Sequence, residues 1–489
     1  MMKTNKQVYS IIENIKKSYG NSSDLNTRII KKGKTNIGII FMESSSNTQT
    51  ISDFIIKAID YISKNSSKIF DNLYNNLKNS IFNCQILTTK DFTKLPYYLS
   101  SGFTVIVADG KEEAIVLETR ANLDRGVTEA TNEPVLRGPK DSFTESHTKN
   151  IGLIRKRIKD NNLWIDDLKI GKRTKTRISI AYLNDVVNKK DIIKIKEKIK
   201  KINLDGSLDS GNIKEYLSNQ KSSFPQILST ERPDLTCQSL LNGKIIILVE
   251  NSPYALILPN IFFDFLHTSE DWFQNNINIS FTRILKIIAL ILTLFTPAIY
   301  IAITTFNQAV VPDKLLISLA VQREGVPFPT AFEVLLLMMI FEILRESDIR
   351  LPANMGASMS IVGALVLGEA AVNAGIVSPI AVIIVAITSI CSLIFTDADF
   401  INGIRFWRLI FILSATFLGI IGLLSAIFCF IVKLSSLETL NVSYLSPFSP
   451  FNKNDIKNTI ARSPLTKNYK RPEYLNINNY TKQGGKNEK

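Results

Sequence analysis

The hydrophobic pattern of the chain changes near residue 280. Before it, apolar positions form short runs and helical stripes broken by polar turns. After it, residues 281–433 repeatedly reach the length needed to span a bilayer. In the first half, Asn36–Met42 (NIGIIFM) reads as a buried strand. Thr50–Ser63 follows with Ile51, Phe54, Ile55, Ala58, Ile59 and Ile62 on one helical face, and Ser67–Asn79 reads as a second helix. Phe103–Val107 and Ala114–Leu117 flank an Asp109-Gly110 turn, which predicts a hairpin. The same order returns as a strand at Thr176–Leu183, helices at Asp191–Ile202 and Ser210–Asn219, and a hairpin of Lys244–Val249 with Tyr254–Leu258. Strand, helix, helix, hairpin thus occurs twice. The expected fold class is an α/β cytoplasmic region of two similar subdomains, followed by an α-helical multi-span membrane domain.

The expected boundaries are a polar N-terminal segment at 1–35, the first subdomain at 36–130, and the second with its preceding linker at 131–265. A transmembrane domain of four to five spans follows at 280–434, then a basic tail at 435–489. The linker carries Arg137-Gly138-Pro139-Lys140 and a basic helix at Ile151–Lys159. Arg137 and Lys140 either pair with nearby carboxylates or contact lipid headgroups or a partner subunit.

In the apolar half, Arg283–Phe306, Ile376–Phe395 and Phe406–Val432 are the clear spans, and Pro297 should kink the first. Phe328–Leu344, with Glu333 and Glu342, reads as a further span, a re-entrant piece or an interfacial helix. Taken as a helix, residues 356–375 place Ser358, Val362, Leu365, Glu369 and Asn373 on one side. Ser360, Ala364, Gly368, Ala371 and Gly375 fall on another. The second stripe suits close helix packing, and the first carries a carboxylate that is costly facing lipid. Its Glu369 either lines a pore or pairs with an arginine on a neighbouring helix.

Composition narrows the function. The 489 residues carry a formal net charge of +14, and 45% of them are hydrophobic. With apolar spans present, the basic balance suits anionic lipid rather than nucleic acid, for which no recognition motif is present. Cys84, Cys237, Cys391 and Cys429 are far apart, which fits neither a disulfide framework nor a CxxC metal site. The polar, lysine-rich start has no apolar core of the signal-peptide kind, so the first half is expected on the cytoplasmic side. His147 and His267 have no neighbouring ligands or catalytic partners, so no enzyme, metal or cofactor is expected.

Several segments carry a resemblance. RGPKDSFTES, IGLIRKRIKD, FPQILSTERPD, ISLAVQREGVPFPTAFEVLLLMMIFEILRE, SIVGALVLGEAAVNAGIVSPI and YLSPFSP occur in order between about Pro134 and Pro450. They resemble the A subunit of the GerA-type spore germination receptors. The resemblance implies a receptor in the inner membrane of bacterial endospores, working with a transporter-like B subunit and a lipoprotein C subunit. It also implies that A subunits assemble into a homo-oligomeric ring whose helices form a nutrient-gated ion channel. Thr230–Asp234 and Gln322-Arg323-Glu324-Gly325 are family signatures, assigned to structure or subunit contact. Asp397 and Asp399 depart from the usual turn. Two other functions compete: a non-conducting scaffold docking the B and C subunits, and a secondary transporter using Glu369. The region lacks the internal symmetry that transporters show.

Overall fold

A computed structural model describes residues 8–32, 35–60, 85–122, 133–135, 137–218, 222–350 and 368–482. The predicted helix at Ser67–Asn79 lies outside them. The first unit opens with a helix, α1 (Val8–Ser18), and a strand, β1 (Leu25–Lys32). The remaining strands are β2 (Thr35–Met42), β3 (Ile86–Thr89), β4 (Phe103–Ala108) and β5 (Ala114–Glu118). They form a five-stranded sheet in the order β1-β2-β4-β5-β3, antiparallel throughout.

The second unit begins with α2 (His147–Arg157), followed by β6 (Leu163–Ile170), β7 (Thr176–Leu183), β8 (Leu228–Thr230), β9 (Ile245–Val249) and β10 (Ala255–Leu258). Its sheet has the order β6-β7-β9-β10-β8, also antiparallel. The strand order is therefore identical in the two units, as expected from the repeated sequence order.

Both sheets are covered on both faces, which is why their central strands read as largely apolar runs. In β4, Phe103, Val105 and Val107 enter a core beneath α1, while Ile106 and Ala108 enter one shared with Ile51, Ile55 and Ile59. In β9, Ile246 and Leu248 face α2, and Ile245, Ile247 and Val249 face Ile192, Ile195 and Ile199. The chain before residue 36 is no separate polar segment. Residues 8–32 complete the first unit, with Val8, Ile12 and Ile15 buried and β1 paired to β2 along its length.

The two units are joined by a buried ion pair. Arg155 of α2 donates from Nε to Asp24 Oδ2 at 2.7 Å and from Nη2 to Asp24 Oδ1 at 2.8 Å, with both side chains fully enclosed. Nearby, Gly20 has φ +61° and lies against the Trp164 ring, where an added Cβ would come within 2.0 Å of Cδ2. Only glycine fits both the left-handed backbone and the contact.

Among the described residues, the longer helices of the apolar half are α3 (Asn276–Thr305), α4 (Thr330–Arg350), α5 (Pro379–Ser392) and α6 (Ala398–Ser435), with a shorter helix at Asp313–Gln322. Among the described residues, α3 and the stretch assigned to α6 are long and apolar enough, by length and composition, to cross a membrane. α6 is not one rod. Gly419 has φ +60° and ψ −141°, and the chain reverses there. The rings of Trp407 and Phe430 meet edge to face 4.9 Å apart, and those of Phe411 and Phe430 5.6 Å apart. A straight helix would separate the first pair by ~35 Å. The expected single span at Phe406–Val432 is thus a helical hairpin with arms at 398–418 and 420–435. Its tip meets the end of α3, where Asn307 Oδ1 accepts from the Ile420 amide at 3.5 Å.

After the hairpin the chain returns to the second unit through α7 (Lys453–Ile460). Leu475 and Ile477 enter the same core as Ile246 and Leu248, and Asn478 donates from Nδ2 to the Val187 carbonyl at 2.7 Å. The segment expected as a basic tail is therefore part of the folded body through residue 482.

Candidate functional site

The apolar helices place their charges unevenly. Glu333, fully buried on α4, accepts from the Ser378 amide at 3.0 Å and hydroxyl at 2.8 Å, and from Arg323 Nη2 at 3.3 Å. Nine residues on, Glu342 accepts from Arg405 Nη2 and Arg408 Nη2, both at 2.9 Å. Two carboxylates thus tie α4 to the start of α5 and to the first arm of α6. In a low-dielectric setting each neutralises a charge that would otherwise be costly. Sequence spacing by itself assigned neither arginine a partner. A carboxylate and an arginine in separate apolar segments are the signal that could have paired them.

Glu369 is different. It is exposed on the single chain, as is Asn373, and among the described residues no cation pairs with it. Ala371 is partly buried and packs on the core of the helical region. Gly368 faces α5, where an added Cβ would lie 3.7 Å from Val382 Cγ1. Gly375 ends this stretch with φ +65°, near the Gly325 carbonyl. Ser358, Ser360, Val362, Ala364 and Leu365 lie outside the described residues. The part that is described therefore turns Glu369 and Asn373 outward, and Gly368 and Ala371 toward its own chain.

The remaining sequence candidates sit elsewhere. Arg323 belongs to the Glu333 cluster, and Glu324 is exposed beside it. Arg137 and Lys140 are exposed on a loop held from within: Gly138 lies against the Phe273 ring, and the Pro139 carbonyl accepts from Arg232 Nη2 at 2.7 Å. Arg232 is itself buried and paired with Asp234 at 2.8 Å. The Thr230–Asp234 signature thus anchors the linker. Thr230 bonds Glu133, whose carboxyl burial pushes up to about 7.

Between the sheets and the helices lies an aromatic layer. Phe400 at the base of the hairpin stacks on Phe265 at 5.2 Å and packs on Phe262, Phe224 and Phe395. Trp407 donates from Nε1 to Ser223 Oγ at 2.8 Å, and Lys214 pairs with Asp399 at 2.6 Å. These contacts join the second unit to the hairpin. Asp399 is a partner in this contact, not a free acid in an open loop.

The outer faces of α3, α5 and α6 carry Phe281, Ile288, Ile387, Phe417, Ile421 and Phe428, all well exposed. A surface this apolar needs lipid or other subunits against it.

Comparison with known proteins agrees with the sequence resemblance. A profile described as "Bacillus/Clostridium GerA spore germination protein" matches residues 13–474. The chain belongs to this GerA family. It is 36% identical over 484 residues to Spore germination protein KA of Bacillus subtilis (strain 168), covering 97% of this chain and 88% of that one. It is 30% identical over 478 residues to Spore germination protein GerLA of Bacillus cereus, covering 97% and 96%. Among solved structures, it is similar to the N-terminal domain of the A subunit of the Bacillus megaterium spore germinant receptor GerK3. That match has 26% identity and a TM-score of 0.42, and covers 53% of this chain and 96% of that one.

Proposed function

We propose that this GerA-family chain is the A-type subunit of a nutrient-responsive germination receptor in the spore inner membrane. In this reading it forms a homo-oligomeric, nutrient-gated ion channel and works with B and C subunits. The observation that carries the reading is the contrast among three carboxylates. Glu333 and Glu342 are neutralised within the chain, whereas Glu369 is left on an exposed face beside Asn373. A carboxylate near membrane depth needs water, ions or a partner. Copies of the chain arranged around that face would give it all three.

Membrane insertion is supported by the exposed apolar outer faces and by α3. The number of crossings is constrained by the returning chain. Leu475 and Ile477 share a core with strands that precede α3, so the chain must come back to the side it left. Any set of spans between them is then even in number, with both ends on one side, which we take as the cytoplasmic (core) side.

The test is ion flux from liposomes holding the purified chain, alone and with its partner subunits, compared with Glu369→Ala. Flux that the substitution changes, with assembly intact, supports the channel. No flux under any gating condition, together with normal germination of Glu369→Ala spores, would leave only the docking role.

A further inference from the structure

Where the returning chain meets the second unit and the first turns of α3, it encloses a cavity of about 670 Å³. Eight lysine and arginine side chains line it against three carboxylates, Asp264, Asp455 and Glu473. The carboxylates are already engaged. Asp264 accepts from Lys244 Nζ at 2.6 Å, Asp455 from the amides of Glu473 and Tyr474 at 2.9 and 3.1 Å, and Glu473 from Asn452 Nδ2 at 3.0 Å. Arg283, the cation contributed by α3, is satisfied by Asp271.

Three of the other cations have only neutral acceptors. Arg462 is 8% exposed and donates from Nη1 to the Gln274 carbonyl at 2.9 Å, while its Nε has no acceptor among the described residues. Arg471 is held by the carbonyls of Leu241, Asn479 and Thr481. Lys482 Nζ donates to Asn242 Oδ1 at 3.0 Å. Arg462 and Lys482 also share one ring, lying 5.4 and 4.9 Å from the Trp272 centroid. Gathering like charges around a partly buried cavity is unfavourable unless an anion sits among them. Burial, with Arg471 and Arg462 nearby, already pulls Lys482 down to about 8.

We propose that this cavity is a binding site for a phosphate-bearing anion, held by Arg462, Arg471 and Lys482. Guanidinium groups with free N–H donors and an ammonium group match phosphate oxygens. The volume admits more than a bare phosphate ion. The exposed apolar side chains of Ile277 and Phe281 lie in the first turns of α3, close to the cavity-lining Arg283. A lipid headgroup and a soluble phosphorylated solute share the phosphate chemistry that this site fits. The inference does not depend on ion conduction.

The experiment uses the full-length chain in nanodiscs, with thermal unfolding read at constant ionic strength. One arm adds inorganic phosphate to discs of neutral lipid. The other replaces part of the neutral lipid with phosphatidylglycerol. A rise of several degrees with phosphate identifies a soluble ligand, and a rise only with phosphatidylglycerol identifies a headgroup. In either case Arg462→Gln and Lys482→Met should weaken the effect by about tenfold or more, as expected for losing a charge-assisted hydrogen bond. Should Arg462→Gln fail to fold, Lys482→Met, at the less buried of the two positions, decides alone. No rise in either arm, or the same rise in the variants, overturns the proposal.

Discussion

Arg155 and Asp24 come from different sheet units and form a two-pronged ion pair from which solvent is excluded. Removing the arginine would leave a carboxylate sealed in the interface with only hydroxyl donors from Ser22 and Ser44. Arg155→Met should therefore destabilise the full chain by about 3–5 kcal/mol. Chemical unfolding of the wild type and variant in the same detergent measures this directly.

The same pair makes stability depend on pH. Burial pushes the Asp24 carboxyl up, but Arg155 and the hydroxyls outweigh it, so the folded group titrates below the ordinary carboxylate value of 3.8. A depressed folded value stabilises the protein above the unfolded pKa. That contribution is lost as pH falls through the folded value. Stability should decline below about pH 4, and Asp24→Asn should flatten that part of the profile while lowering stability at neutral pH.

His267 acts in a higher window. Its Nε2 donates to the Thr459 carbonyl at 3.0 Å, and burial, with Arg283 alongside, pulls its pKa down from 6.5 to about 4. The unfolded chain then binds the proton first, so stability falls as pH drops from 6.5 towards 4 and levels off below that. His267→Gln should remove much of this slope in thermal denaturation curves collected across that range.

At the hairpin tip, Gly419 occupies a backbone conformation that side chains resist, and a Cβ there would come within 2.9 Å of Phe306 Cβ. Gly419→Leu should cost about 1–3 kcal/mol from backbone strain alone, with further loss from the clash. Reduced folded protein in the membrane fraction is the expected readout. Normal yield and melting temperature would argue against the reversal.

Glu342 and Arg408 lie on different helices of the apolar region. A double-mutant cycle of Glu342→Gln and Arg408→Met should return a coupling of about 0.5–3 kcal/mol in detergent unfolding. Additive effects would mean that the pair does not bind α4 to the hairpin. By contrast, Glu369→Ala should leave unfolding unchanged, because that side chain has no ion-pair partner among the described residues.

Much of the α/β half was legible because its central strands are covered on both faces. β2, β4, β7 and β9 are mostly apolar on both faces, and such runs stand out. β1 (LNTRIIKK) and β6 (LWIDDLKI) escaped because each pairs on one side only and needs few apolar positions. β3 and β8 are short edge strands for the same reason. The reversal at Gly419 was hidden by its surroundings. A turn in water is marked by polar residues, whereas this one sits among Phe417, Leu418, Ile420 and Ile421. Glu369 and Asn373 could be assigned a common helix face from spacing alone. Spacing along one helix carries no information on what lies opposite them.

The insertion of Leu475 and Ile477 into the core of the second unit has a consequence for biosynthesis. A ribosome delivers strands β6–β10 well before it makes the residues that finish their packing, with every apolar helix coming in between. The second unit must therefore wait, incompletely closed, until insertion is over. A chain that stalls or is cut short would keep an open hydrophobic notch beside Gly243, marking it for proteolysis before it could join a receptor.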